Sequence, residues 1–258
     1  MATTFTATPE PSNSPPRTLL QLTYTGQTSA VITRMDPDGN ERPVRLGEPA
    51  SLDGSGSWTG YDYESWFGQP ATYTATTGAG SLTAGPVTLD VDKIWLRHPG
   101  VPSLSMQIDF QGEGEPVRPV NQAVLEPLNR RSPIVVTDGR RRAKRGTITI
   151  RTATAGEAAD LEALLDDTAV LLLDIPAGRV LNMAPHQYVA LGDLTEGRRQ
   201  PNYYPDPNKV WTAPYIVVDR PAGGLQAERT YDTVLAVYAT YTGVKNAYAT
   251  YTDLLTGN

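Results

Sequence analysis

The chain runs to 258 residues with 22 Lys and Arg against 28 Asp and Glu, a formal net charge of −6, and no cysteine. That length suffices for one large domain or two modest ones with real cores. The missing thiols exclude disulfides, thiolate metal sites and cysteine nucleophiles, and no apolar run is long enough for a membrane-spanning helix. Gly and Pro are frequent among short segments rich in Val, Ile and Leu, which predicts a mostly-β chain with many turns.

The opening segment, 1–17, has no charged start followed by an apolar block and does not read as a secretory signal. Its prolines, from Pro9 to Pro16, predict a flexible, extended, Pro-rich arm. From Thr18 the texture changes. TLLQLTY (18–24) and SAVITR (29–34) are strand candidates, DPDGN (36–40) is a turn, and RPVRL (42–46) is its return strand. WTGYDYESWFGQP (58–70) reads as an aromatic-rich bend, ATYTATT (71–77) as a half-buried strand, and PVTLDV (86–91) closes the unit. This spacing predicts a β-sandwich of the immunoglobulin or fibronectin kind over 18–91. Tyr73 stands where such domains tie a loop to the backbone through a tyrosine hydroxyl.

A second β-rich domain is expected over 92–222. KIWLRH (93–98), SLSMQIDF (103–110) and PVNQAVLEPL (119–128) are extended candidates, and PIVVT (133–137) is apolar enough for a buried strand. GTITIRT (146–152) alternates, with Ile148 and Ile150 on one face. Asp138–Gly139 is a hairpin signal between these last two segments. Thr154 and Glu157 form a capping box opening a helix over 155–167, whose apolar face is Ala158, Leu161 and Leu165. Asp166 and Asp167 mark its exit, because a helix dipole disfavours carboxylates there. TAVLLLDI (168–175) and HQYVALGDL (186–194) are further strands. TEGRRQPNYYPDPNKVWTAP (195–214) reads as a long functional or mobile loop before YIVVDRP (215–221).

The last segment, 223–258, carries a ten-residue repeat: TYDTVLAVYA, TYTGVKNAYA, TYTDLLTGN. A ten-residue period is not a whole number of helical turns, so a C-terminal arm of short helices is expected, each opened by a Thr cap and needing a surface to lie on.

Chemistry-bearing patterns are sparse. His98 and His186 have no metal-ligand spacing. DPDGNE (36–41) lacks the glycine and acid positions of a calcium loop. Asp62, Glu64, Glu113 and Glu115 offer carboxylates without a spacing that singles out a glycosidase pair. The reading is therefore non-enzymatic, with no cofactor and no metal. Two clusters stand out instead. Arg140, Arg141, Arg142, Lys144 and Arg145 concentrate positive charge on an acidic chain. Without further basic surface or stacking aromatics the cluster does not suit a nucleic acid. It reads either as a solvated hairpin end or as a dock for an acidic protein surface, another copy of the chain included. Trp58, Tyr61 and Trp66 belong to the sandwich core or, in the alternative reading, to a sugar-stacking platform for host cell-wall carbohydrate.

YDYESWFGQPATYTATTGAG (61–80) resembles the sandwich domain of minor tail proteins of long-tailed, siphovirus-type phages of actinobacteria. RRAKRGTITIRTATAGEAADLEALLDDTAVLLLDIP (141–176), followed by HQYVAL, resembles their strand–helix–strand core and, more distantly, the ring-forming domain of distal tail proteins. The TYxxV…AYA tail belongs to the same likeness. Typical distal tail proteins place the ring domain first, whereas here the sandwich leads. The resemblance implies a structural protein of the virion tail. Six or three copies would form a ring or collar that joins the tail tube protein to tip or hub proteins, after assembly in the host cytoplasm. No nucleic acid or membrane partner is implied. The basic cluster would then be a docking surface, and Tyr231, Tyr241 and Tyr251 would anchor the C-terminal arm.

Overall fold

The computed structural model describes residues 3–46, 50–128, 131–180, 183–198 and 207–224. These are mostly strand, in several antiparallel sheets, with one α-helix among them. They fall into two compact units. One comprises the described residues up to Val91 with Pro99–Ser103 and 222–224, the other those within Asp92–His98 and Leu104–Pro221.

The first unit holds β1 (Thr4–Glu10), β2 (Arg17–Thr23), β3 (Ser29–Met35), β4 (Glu41–Pro43), β5 (Ala50–Ser51), β6 (Ser57–Asp62), β7 (Pro70–Thr77) and β8 (Gly80–Thr88). One antiparallel sheet runs β1-β2-β6 and another β4-β3-β7-β8, with β5 on the first residues of β3. Period-two alternation decides what goes inside. Leu20 and Leu22 of β2, Ile32 of β3, and Ala71, Tyr73 and Ala75 of β7 are all buried. Side chains from both sheets meet in one core that also takes in Phe5 and Val87.

Two expectations fail here. Residues 4–10 of the expected Pro-rich arm are strand β1, paired with β2 from Thr4↔Thr23 to Glu10↔Arg17. Its apolar Phe5 and Ala7 alternate into the core, and Glu10 closes the pair with an ion pair to Arg17 at 2.7 Å. The aromatic bend at 58–70 begins as strand β6, which pairs with β2 across its whole length.

The second unit holds β9 (Trp95–Arg97), β10 (Met106–Gln107), β11 (Asp109–Val117), β12 (Val120–Leu125), β13 (Ile134–Arg141), β14 (Arg145–Thr152), α1 (Ala155–Asp167), β15 (Val170–Asp174), β16 (His186–Leu191), β17 (Thr195–Arg198) and β18 (Lys209–Val218). Its main sheet runs β10-β9-β15-β16-β18-β14-β11. Strand β14 takes one edge of β18, while β16 and β17 share the other. Helix α1 connects β14 to the non-adjacent β15. It packs Ala158, Leu161 and Leu164 into a core with Ile148, Ile150, Leu171, Leu173, Val189 and Trp211. The helix starts as the capping box requires: Glu157 N donates to Thr154 Oγ1 at 3.1 Å. The Glu157 carboxylate reaches back to Ala153 N at 2.7 Å, one residue beyond the usual partner.

Four further expectations are corrected. Leu164 is fully buried while Leu165 is only partly so, because the helix turns its i+3 position inward rather than its i+4. The segment 133–137 is exposed, not buried. Asp138–Gly139 is not a hairpin turn. Strand β13 continues through it and pairs with β12, with a register shift between Gln122↔Thr137 and Val120↔Arg141. Gly139, at φ 84°, supplies the left-handed residue that such an irregularity needs. The expected loop at 195–214 contains β17 and the first half of β18, which pair from Thr195↔Thr212 to Arg198↔Lys209.

Candidate functional site

Strands β12 and β13 form a two-stranded sheet of their own, to which no other described strand is hydrogen-bonded. The ribbon grows out of the main sheet between β11 and β14, whose last pairing is Val117↔Arg145. Directly opposed residues share a face, so the register assigns its surfaces. Val124 lies opposite Val135 on one face, and Leu125 opposite Ile134 and Ala123 opposite Val136 on the other. Both faces are thus apolar and both are in solvent. Val124, Leu125, Val135 and Val136 are 52–55% exposed and Leu128 is 96% exposed. Seven of the ten exposed large hydrophobics among the described residues lie between Val117 and Val136. A free two-stranded ribbon is marginal in water, and concentrated exposed apolar surface is the mark of an interaction site.

The basic cluster occupies the base of this ribbon rather than its tip. Arg140 and Arg141 end β13, Arg142 and Lys144 lie in the connection, and Arg145 opens β14. Arg140, Arg141, Arg142 and Arg145 are exposed. Arg142 N donates to Pro119 O at 2.8 Å, which fixes the connection to the start of β12. Lys144 differs from its neighbours: its ammonium is largely buried and sits 2.6 Å from Glu113 Oε1, which also accepts from the Tyr215 hydroxyl. It belongs to the sheet's internal polar contacts, not to a docking surface.

The same unit carries a groove of about 520 Å³ where α1 ends beside the segment after β16. Glu162, Asp166, Asp167 and Asp193 line it together with Leu165, Leu191 and Leu194, and among the described residues no basic side chain does. The last turn of α1 has no basic side chain either. The partial negative charge of the helix C-terminus adds to these carboxylates instead of being neutralised. Two are partly answered: Asp167 Oδ2 lies 2.8 Å from His98 Nε2, and Glu162 Oε1 lies 3.7 Å from Lys209 Nζ.

The other candidate residues do not gather into one site; Trp66 is half-buried and Glu115 exposed. Trp58 packs against the first unit's core and lies over Gly60, where an added Cβ would strike its ring. Tyr61 leaves the opposite face of β6, stacked under the Arg17 guanidinium at 3.8 Å and tilted against Tyr63. Trp58 and Tyr61 therefore cannot stack on one sugar ring. Asp62 and Glu64 are buried in ion pairs. Arg34 Nη1 donates to Asp62 Oδ2 at 2.6 Å and Arg45 Nε to Glu64 Oε1 at 2.9 Å. Asp36, of the turn that faintly matched a calcium loop, is held by Arg34 and Arg42. The Tyr73 hydroxyl, kept protonated because burial pushes its pKa well above the usual phenol range, donates to Asp62 Oδ2 at 2.9 Å. Its partner is a carboxylate, not the backbone the sequence suggested. In the second unit His186 Nδ1 lies 2.6 Å from Asp174 Oδ1, and Arg97 pairs with the same carboxylate. Among the described residues no group of three or more His, Asp or Glu is placed to hold a metal ion. No described helix is long and apolar enough to cross a membrane. Tyr231, Tyr241 and Tyr251 lie outside the described residues.

No protein-family model matches the chain, and no curated protein matches it.

Sequence reasoning found the arginines of the ribbon base but missed the ribbon. PIVVT reads as core because its apolar run is indistinguishable from that of a buried strand. The signal available was its neighbour: VNQAVLEPL and PIVVT are both short, both contain a Pro, and are separated by NRRS, the pattern of a pair joined to each other.

Proposed function

We propose that this chain is a non-enzymatic structural protein of a bacteriophage tail tip, several copies of which assemble into a ring or collar joining the tail tube to tip proteins. The observation that carries the assembly half of this reading is the β12–β13 ribbon, apolar on both faces and open on both edges. Exposed side chains of this kind lower the free energy of the system only when another polypeptide covers them, by roughly 25 cal/mol per Å² of apolar area removed from water. The tail half rests on the resemblance of 61–80 and 141–176 to phage tail proteins. Within 141–176 lie β14, α1 and β15, the elements that supply much of the second unit's core. In this reading the second unit builds the ring, and the first, with its own core, is a separate immunoglobulin- or fibronectin-like domain. The repeats of the expected C-terminal arm lie outside the described residues.

The test has two parts. Multi-angle light scattering and electron microscopy of the purified chain should give closed rings of defined copy number. Excising 119–142 in favour of a short Gly-Ser turn between Arg118 and Ala143 should leave a folded monomer, since no described residue of that stretch belongs to either core. In phage particles that contain the chain, a labelled antibody should decorate the tail end. A solitary protein at all concentrations, or label confined to the capsid, would end the proposal.

A further inference from the structure

The ribbon base and the α1 groove are different surfaces of one unit, and their charges are opposite. Arg140, Arg141 and Arg145 are exposed cations projecting from a sheet margin. Asp166 and Asp193 are exposed anions lining a groove that Leu165, Leu191 and Leu194 also line. The helix C-terminus makes the groove more favourable for a cation than its carboxylates alone would. Arginine suits such a site, because its planar guanidinium meets a carboxylate with two parallel hydrogen bonds and is weakly hydrated.

We propose that the ribbon base of one copy docks into the α1 groove of a second copy of this chain. Arg140, Arg141 and Arg145 would face Asp166 and Asp193, while the apolar part of the ribbon extends over the same neighbour. This deepens the ring reading above and rests on it. The occupant is argued from charge. The chain is acidic overall yet carries a dense basic cluster at the ribbon base, and a groove lined by carboxylates, complementary to it in charge, is carried by the chain itself. The two patches are distinct, and in the proposed ring the contact runs one way, from the ribbon base of each copy to the groove of the next. Each copy keeps one free ribbon and one free groove until the chain of contacts closes on itself, which is how a head-to-tail interface builds a ring. Lys144 takes no part, being held by Glu113 inside its own sheet. The carboxylates that already have partners, Asp167 and Glu162, contribute to the field of the groove more than to direct pairing.

Three variants decide the matter, each read by sedimentation velocity across a concentration series. The first is Arg140→Glu with Arg141→Glu and Arg145→Glu. The second is Asp166→Lys with Asp193→Lys. The third carries all five changes in one chain. Each partial set juxtaposes like charges and should weaken association at least about tenfold, while the five-fold variant, with its charges exchanged, should recover most of it. All five side chains are exposed, so circular dichroism should be unchanged; if a reversal disturbs folding, the neutral Arg→Gln and Asp→Asn sets must give the same order. A wild-type oligomer that neither reversal weakens, or whose weakening the combined set fails to restore, overturns this interface and leaves the ring reading standing. A wild-type chain that stays monomeric throughout overturns both.

Discussion

Asp62 has no exposed surface, and three groups donate to its carboxylate: Arg34 Nη1, the Tyr73 hydroxyl and the backbone N–H of Glu64; Asp36 shares the same arginine. Burial by itself raises the carboxyl pKa; Arg34 and the hydrogen bonds outweigh it, and the net shift is downward. A lowered folded-state pKa means stability that is present above the unfolded value, about 4, and lost as pH falls through the folded one. Asp62→Asn removes the charge but leaves Arg34 buried. It should cost about 3–5 kcal/mol at pH 7, the usual loss when one partner of a buried pair is deleted. Urea denaturation at pH 7, 4 and 3 should show the gap between wild type and variant narrowing as the pH drops. A constant gap would mean that the carboxylate's charge is not what the site uses. The network also shows that both oxygens of the Asp62 carboxylate already accept hydrogen bonds from the protein.

At the scale of elements, helix α1 shows how one residue of phase changes the energetic outcome. Leu164 is fully buried against the sheet and Leu165 lies at the margin of the core and the wall of the groove. Leu164→Ala should cost about 2–5 kcal/mol, the range for emptying a packed site, and Leu165→Ala clearly less, because its neighbours can close over the gap. Equilibrium unfolding of the two variants compares them directly, and equal losses would contradict the packing. The ribbon illustrates the opposite case. Its strands have strand-forming sequences and pair with each other, yet their side chains find no layer to cover them. Local propensity was legible at 119–125 and 133–137, but burial was not. An apolar strand reads the same whether its own chain or another covers it. The turn signal at Asp138–Gly139 was misleading for a related reason. A left-handed glycine serves a bulge as well as a turn, and only the pairing partner distinguishes them.

At the scale of the whole molecule, the distribution of charge matters more than its sum. The net charge of −6 keeps copies apart on average, while the ribbon base offers one place of local attraction. Association through exposed arginines and carboxylates should therefore weaken as salt rises from 50 mM to 1 M, where the screening length falls to about 3 Å. Light scattering at the two ionic strengths checks this. Association that is unchanged or tighter in high salt would assign the interface to the apolar strands alone.

The sequence by itself determined the secondary structure of most of the described residues and the helix with its cap. These follow from period, turn chemistry and side-chain size, which act over a few residues. It also marked the arginine cluster, since charge is visible without a fold. Tertiary structure alone decided that residues 4–10 join the first sheet, that 195–198 pairs back onto β18, and that Trp58 and Tyr61 part company across β6. It alone brought Glu162 and Asp166 beside Asp193 and left β12–β13 uncovered. Each of these depends on which distant strand supplies the hydrogen bonds and the covering side chains. That choice is made by the free energy of the assembled core, to which no local window of sequence has access.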